Sequence, residues 1–141
     1  MMTARPSAVE LIEAAREHLE ARVLPVLSDP RLRFQTLVAA HVLRTVEREL
    51  TLGEPQAWRQ WEHLATLLGR TEPRPESSAA LEQHLAALNA ELYAAIRAGQ
   101  FDESEAGGAL VALLHEQITD ALEVWNPEFL ARVREETTRD T

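Results

Sequence analysis

The chain has 141 residues, a formal net charge of −9 at neutral pH, and neither cysteine nor lysine. That length suits one core, and the missing residue types exclude thiol catalysis, disulfides, cysteine-based metal sites, lysine nucleophiles and Walker-type phosphate loops. The acidic balance opposes attraction to phosphate backbones or anionic lipid, so no nucleic-acid or membrane partner is expected. Leucine and alanine dominate while β-branched residues are scarce, which predicts an all-α protein. The first seven residues lack the apolar core of a signal peptide, and no run reaches membrane-spanning length; a cytoplasmic protein is the expectation.

In chain order, Ser7 and Glu10 form a capping box that starts a first helix. Its stripe is Leu11, Ile12, Ala15, Leu19 and Val23, and Pro25 stops or kinks it near Leu24. Asp29-Pro30 is a second start, and Gly53 is the expected end of a helix over about residues 30–52. Phe34, Leu37, Val38, His41, Val42, Thr45 and Val46 line one face of it, and Ala39, Leu43 and Leu50 carry apolar surface beyond that face. A helix apolar around most of its circumference has neighbours on several sides, so this one is predicted to be central. A third helix carries Trp58, Trp61, Leu64, Ala65 and Leu68 and closes at Gly69. The stretch 70–78 is an exposed loop rich in proline, charge and serine. Ser78 caps a fourth helix whose Leu81, Leu85, Leu88, Leu92 and Ile96 form a bundle seam ending at Gly99. Phe101 tucks the next loop onto the core. Asp102 or Ser104 starts a fifth helix with the stripe Val111, Leu114, Ile118, Leu122 and Trp125. Asn126-Pro127 caps a short last helix, and residues 134–141 form a frayed tail. The expected fold is a single domain over 1–141, a bundle of five or six helices around the helix at 30–52.

The chemistry is sparse. None of the five histidines, His18, His41, His63, His84 and His115, follows a glutamate by three residues, and no pair lies four apart. The carboxylate-bridged metal motifs of helical bundles are therefore missing, and no metal or cofactor is expected. There is no Gly-x-Ser-x-Gly elbow and no glycine-rich phosphate loop. Candidate carboxylates are many, but they are expected on the solvent sides of the helices. His41, inside an apolar stripe, is expected to be a core histidine bonded to a neighbour such as Asn89. The sharper alternative joins His41, Asn89 and His115 around a small polar ligand pocket. Trp58 and Trp61, one turn apart, are either core anchors or an exposed pair marking a protein interface; the core is the expected place for at least one.

Several segments together resemble one uncharacterised bacterial family of small helical proteins. They include Arg5-Pro6 with Glu10-Leu11, Val23-Leu24-Pro25, Leu32 and Phe34, and Val38-Ala39-Ala40. Further along come Arg48-Glu49-Leu50 with Gly53, Leu88-Asn89, Leu92, and Ala95-Ile96-Arg97 with Gly99. Members of that family are often encoded beside aminoglycoside-phosphotransferase-like kinases and acyl-CoA dehydrogenases. In the family pattern, arginine and asparagine tend to occupy the positions held here by Leu37 and His41. The resemblance implies no known activity, only the company of such enzymes. The expectation is thus a non-enzymatic interaction or accessory module, bound to a kinase-like or acyl-CoA-dehydrogenase-like enzyme or to itself. A small-ligand binder or enzyme near His41, Asn89 and His115 is the alternative.

Overall fold

The computed structural model describes residues 5–140, and among them it is all-α, with five α-helices and no strand. They are α1 (Ala8–His18), α2 (Pro30–Leu67), α3 (Ser78–Arg97), α4 (Ser104–Trp125) and α5 (Pro127–Arg139). The chain divides into two compact units, one ending at Gly53 and the other beginning at Glu54, and the division falls inside α2.

In the first unit, the Ser7 hydroxyl accepts from the Glu10 amide at 3.2 Å, and the Glu10 carboxylate accepts from the Ser7 amide at 2.7 Å. The capping box is complete. Past His18 the helix widens into a π-helical turn over Leu19–Val23. It then tightens into a 3-10 turn over Leu24–Val26 where Pro25 ends it. Asp29 caps α2 through the Arg31 amide at 2.9 Å, with Pro30 at the first helical position.

Ion pairs hold α1 to the first half of α2. Arg16 donates to Glu47 on α2 at 2.9 Å and to Glu20 at 2.9 Å, and Arg44 donates to Glu20 at 3.0 Å. The hydrogen bond to Glu47, joined by the bond to Glu20 and the attraction of both carboxylates, raises the Arg16 pKa above its ordinary value despite some desolvation. Arg33 closes the connection by donating to the carbonyls of Leu24 and Leu27 at 2.7 and 3.0 Å.

Two expectations for α2 need correction. The helix does not end at Gly53: it continues past Gly53 and Pro55 to Leu67, 38 residues in all. A glycine ends a helix when it adopts positive φ, as Gly69 and Gly99 do at 67° and 79°, and Gly53 does not. Nor is the apolar face of the stretch 30–52 buried along its whole length. Glu47, held by Arg16, and buried Ala40 seven residues before it share the side that meets α1. The stripe Phe34, Leu37, Val38, His41 and Val42 lies on the far side of the helix and is exposed, Phe34 by 67%. His41 is consequently a surface histidine on an apolar strip, and the core placement expected for it is overturned. The same stripe is covered at its C-terminal end, where Thr45 is buried and Val46 half-buried, so its exposed part runs from Phe34 to Val42.

The core belongs to the second unit. Trp61, Leu64 and Ala65 of α2 pack with Leu81, Leu88 and Leu92 of α3 and Leu113 of α4; Leu85 and Phe101 close over them. The leucine seam of α3 is where the periodicity puts it, although Ser77 rather than Ser78 makes the cap, accepting from the Ala80 amide at 3.1 Å. In the loop between α2 and α3, residues 69–77 are exposed apart from Pro75, while Leu68 packs half-buried against the core. Asn126 caps α5 by accepting from the Phe129 amide at 3.2 Å. That helix continues to Arg139, through residues whose composition reads as a frayed tail, with the Thr138 hydroxyl bonded back to the Arg134 carbonyl.

Helix α4 departs from its apolar pattern. Leu113, Asp120 and Val124 are the buried residues, whereas Val111, Leu114, Ile118 and Trp125 face outward. The expected stripe is on the solvent side. The reason is electrostatic and lies between α4 and α2.

Candidate functional site

The second half of α2 and α4 run antiparallel, joined by a polar seam within the second unit. On α2, Gln56, Arg59, Gln60 and His63 recur at three-and-four spacing and so share a face; on α4, Glu116, Asp120 and Glu123 do the same. Gln56 donates to the Asp120 carbonyl at 3.1 Å and to the Glu123 carboxylate at 3.3 Å. Arg59 bridges Glu116, at 3.0 Å, and the Asp120 carboxylate, which also accepts from Gln60 at 3.2 Å. His63 Nδ1 meets Glu116 Oε2 at 2.7 Å. Burial costs the Arg59 guanidinium, but Asp120 and Glu116 outweigh it, and the Arg59 pKa rises.

Asp120 is only 3% exposed. The expectation that carboxylates sit on the solvent sides of the helices fails here, because two donors from α2, Arg59 and Gln60, compensate this one. The signal was present in the sequence as two complementary polar rows, one rich in donors and one in acceptors. Neither row reads as a site when each helix is judged by its apolar residues alone.

The seam borders a groove of about 370 Å³ lined by His63, Thr66, Leu67, Ala112, Leu113 and Glu116, among others. Its lining is largely apolar, with the imidazole and Glu116 as polar handles. A carboxylate on Nδ1 orients the ring and leaves Nε2 for a proton or a hydrogen bond. The groove offers no nucleophile to go with it: the Thr66 hydroxyl donates back to the Glu62 carbonyl at 2.8 Å. Among the described residues no three histidines or carboxylates cluster in a way that would hold a metal ion.

The residues singled out from sequence fall in separate places. His41 is exposed on α2 in the first unit, while Asn89 and His115 belong to the second and are exposed on α3 and α4. His115 lines a groove between α4 and α5 with Thr119, Leu130, Val133 and Thr137, and Asn89 is not part of that groove. Trp61 is buried in the core. Trp58 is half-buried against it, their rings edge to face at 6.4 Å, with the Arg74 guanidinium 4.2 Å above the Trp58 ring. A tryptophan that does face solvent is Trp125.

Among proteins of known sequence and structure, no curated protein and no solved structure matches this chain. A family model does match, over residues 25–129: a domain of unknown function, DUF6285. That span takes in the whole of α2, α3 and α4, and hence the core and the polar seam. With most of its length matched, the chain belongs to the DUF6285 family.

Proposed function

We propose that the chain is a non-enzymatic protein-interaction module of the bacterial cytoplasm, acting as an accessory to a metabolic enzyme. The observation that carries this reading is the apolar stripe of α2. Phe34, Leu37, Val38 and Val42 are each about half exposed or more, on a helix anchored from its other side by α1. A contiguous apolar strip rimmed by Gln35, Arg44 and Glu49 is the anatomy of a helix-in-groove contact. The partner we propose is a kinase-like or acyl-CoA-dehydrogenase-like enzyme, on the strength of the family's gene company. The test is retention of the purified enzyme encoded beside this gene on the immobilised chain. Retention that disappears in Leu37→Glu/Val42→Glu supports the reading. Retention unchanged by that pair, or absent from the start, ends it; both positions are exposed, so the fold is expected to survive.

A second reading is a small-ligand site, favoured by the carboxylate-oriented imidazole of His63 at an apolar groove. Under this reading, ligand-dependent melting shifts should vanish in His63→Ala and not in variants of His41, Asn89 or His115. The earlier alternative, a pocket built on those three, requires the reverse.

A further inference from the structure

We propose that α4 is a self-association helix, and that its outward seam pairs antiparallel with the same seam of a second copy. Val111, Leu114, Ile118, Ala121 and Trp125 alternate three and four apart over two heptads, the spacing of coiled-coil contact positions. All five are exposed, Val111 by 66%, Ile118 by 61% and Trp125 by 64%. Such a seam on a helix whose opposite side is already fixed to α2 has one face left to bury.

Three observations point to a second copy as the occupant. The first is charge. In a chain of net charge −9, the positions flanking the seam, Leu110, His115, Gln117, Leu122 and Val124, include no carboxylate and no arginine. The acids of this stretch, Glu116, Asp120 and Glu123, lie on the other side, bonded to Arg59, Gln60 and Gln56 of α2. Two such faces meet without like-charge repulsion.

The second is shape. A two-fold axis through Ile118 sets Val111 against Trp125 of the second copy, small against large at each end. An isologous contact needs this reciprocity. A parallel pairing would instead stack Trp125 on Trp125 and leave Val111 facing Val111.

The third is area. The seam exposes roughly 450 Å² of apolar surface in each copy. Two copies with a normal polar rim would bury about 1,400 Å² in total, within the range of stable dimers.

This inference extends the interaction reading but uses a different helix from the Phe34 stripe, so each can fail alone. The test uses the full chain, which has no cysteine of its own. By sedimentation equilibrium at micromolar concentration we expect a dimer, and a monomer of unchanged helicity for Ile118→Arg and for Val111→Glu. Ile118→Cys should oxidise to a covalent dimer at least tenfold faster than Gln83→Cys, a control on the exposed side of α3. A wild-type chain still monomeric at 100 µM overturns the proposal. So does a dimer that persists in both charge variants. A monomeric Ile118→Cys variant whose thiol is shielded from reagents would overturn it too, since the chain would then cover the seam itself. A monomer that nonetheless retains its enzyme through Phe34 sinks the seam and spares the interaction reading.

Discussion

Removing either end of the Arg59–Asp120 pair should have unequal cost. The two side chains differ tenfold in exposure, 43% for Arg59 and 4% for Asp120. In Arg59→Leu the buried carboxylate keeps only Gln60 as a side-chain partner and loses its cation. Breaking a buried pair in this way costs about 3 kcal/mol. In Asp120→Leu the guanidinium left behind is half in water and still bonds Glu116 at 3.0 Å, so solvent screening limits the loss to about 1 kcal/mol. The double substitution leaves no orphaned charge, and it should recover most of the Arg59→Leu deficit. Trp58, Trp61 and Trp125 all lie in the unit beginning at Glu54, so tryptophan fluorescence reports on that unit. With a urea slope of about 1.5 kcal/mol per M, the midpoint should fall by roughly 2 M for Arg59→Leu and less than 1 M for Asp120→Leu. If Asp120→Leu proves the costlier, or the double variant shows the sum of the two losses, the polar seam has been misread.

Other substitutions test the fold directly. Gly53→Ala should stabilise α2 by about 0.5–1 kcal/mol, since a Cβ there meets only Glu49 Cγ at 3.9 Å; Gly69→Ala, forced to hold positive φ, should destabilise. Loss of stability in Gly53→Ala, measured by thermal melting of helicity, would restore the helix break at that glycine. Leu64→Ala empties a site with no exposure and should cost about 3–4 kcal/mol in urea unfolding; a cost under 1 kcal/mol would mean the core lies elsewhere. Trp61→Phe should cost far less than Trp61→Ala, because the buried indole nitrogen has no hydrogen-bond partner to lose. The raised pKa of Arg16 places its stabilisation fully below the unfolded guanidinium value, to be lost only as pH climbs past the folded one. The stability gap between wild type and Arg16→Gln should therefore be constant from pH 7 to 10.

Helix identity was written in short-range signals. The Ser7–Glu10 box, Asp29-Pro30, Asn126-Pro127 and the two positive-φ glycines each act through local backbone hydrogen bonds, and each is found in place. The seam of α3 was legible because Leu81, Leu88 and Leu92 agree with the 3.6-residue period and have no polar competitor. Helix α4 was not, because it has two eligible faces. Apolar content favours Val111 to Trp125, whereas the donors of α2, far away along the chain, select Asp120. Periodicity within one helix carries no information about a charge that will arrive from another. The same limit hid the site: His63 and Glu116 are ordinary surface residues until α2 and α4 are set side by side. Gly53 misled for a related reason, since glycine permits a helix end without requiring one.

Pro55 gives α2 an internal seam of a different kind. It has no amide proton, so the Thr51 carbonyl one turn earlier is left without its helical donor, and Gly53 between them holds the backbone weakly. The ladder is thinnest where one unit gives way to the next along the chain. Amide hydrogen exchange should be fastest there within α2, and each half of the helix should open with the unit that holds it. Circular dichroism sees both halves, while the tryptophans report only the second. The two melting curves should therefore separate, and an unfolding energy taken from helicity alone would belong to neither unit.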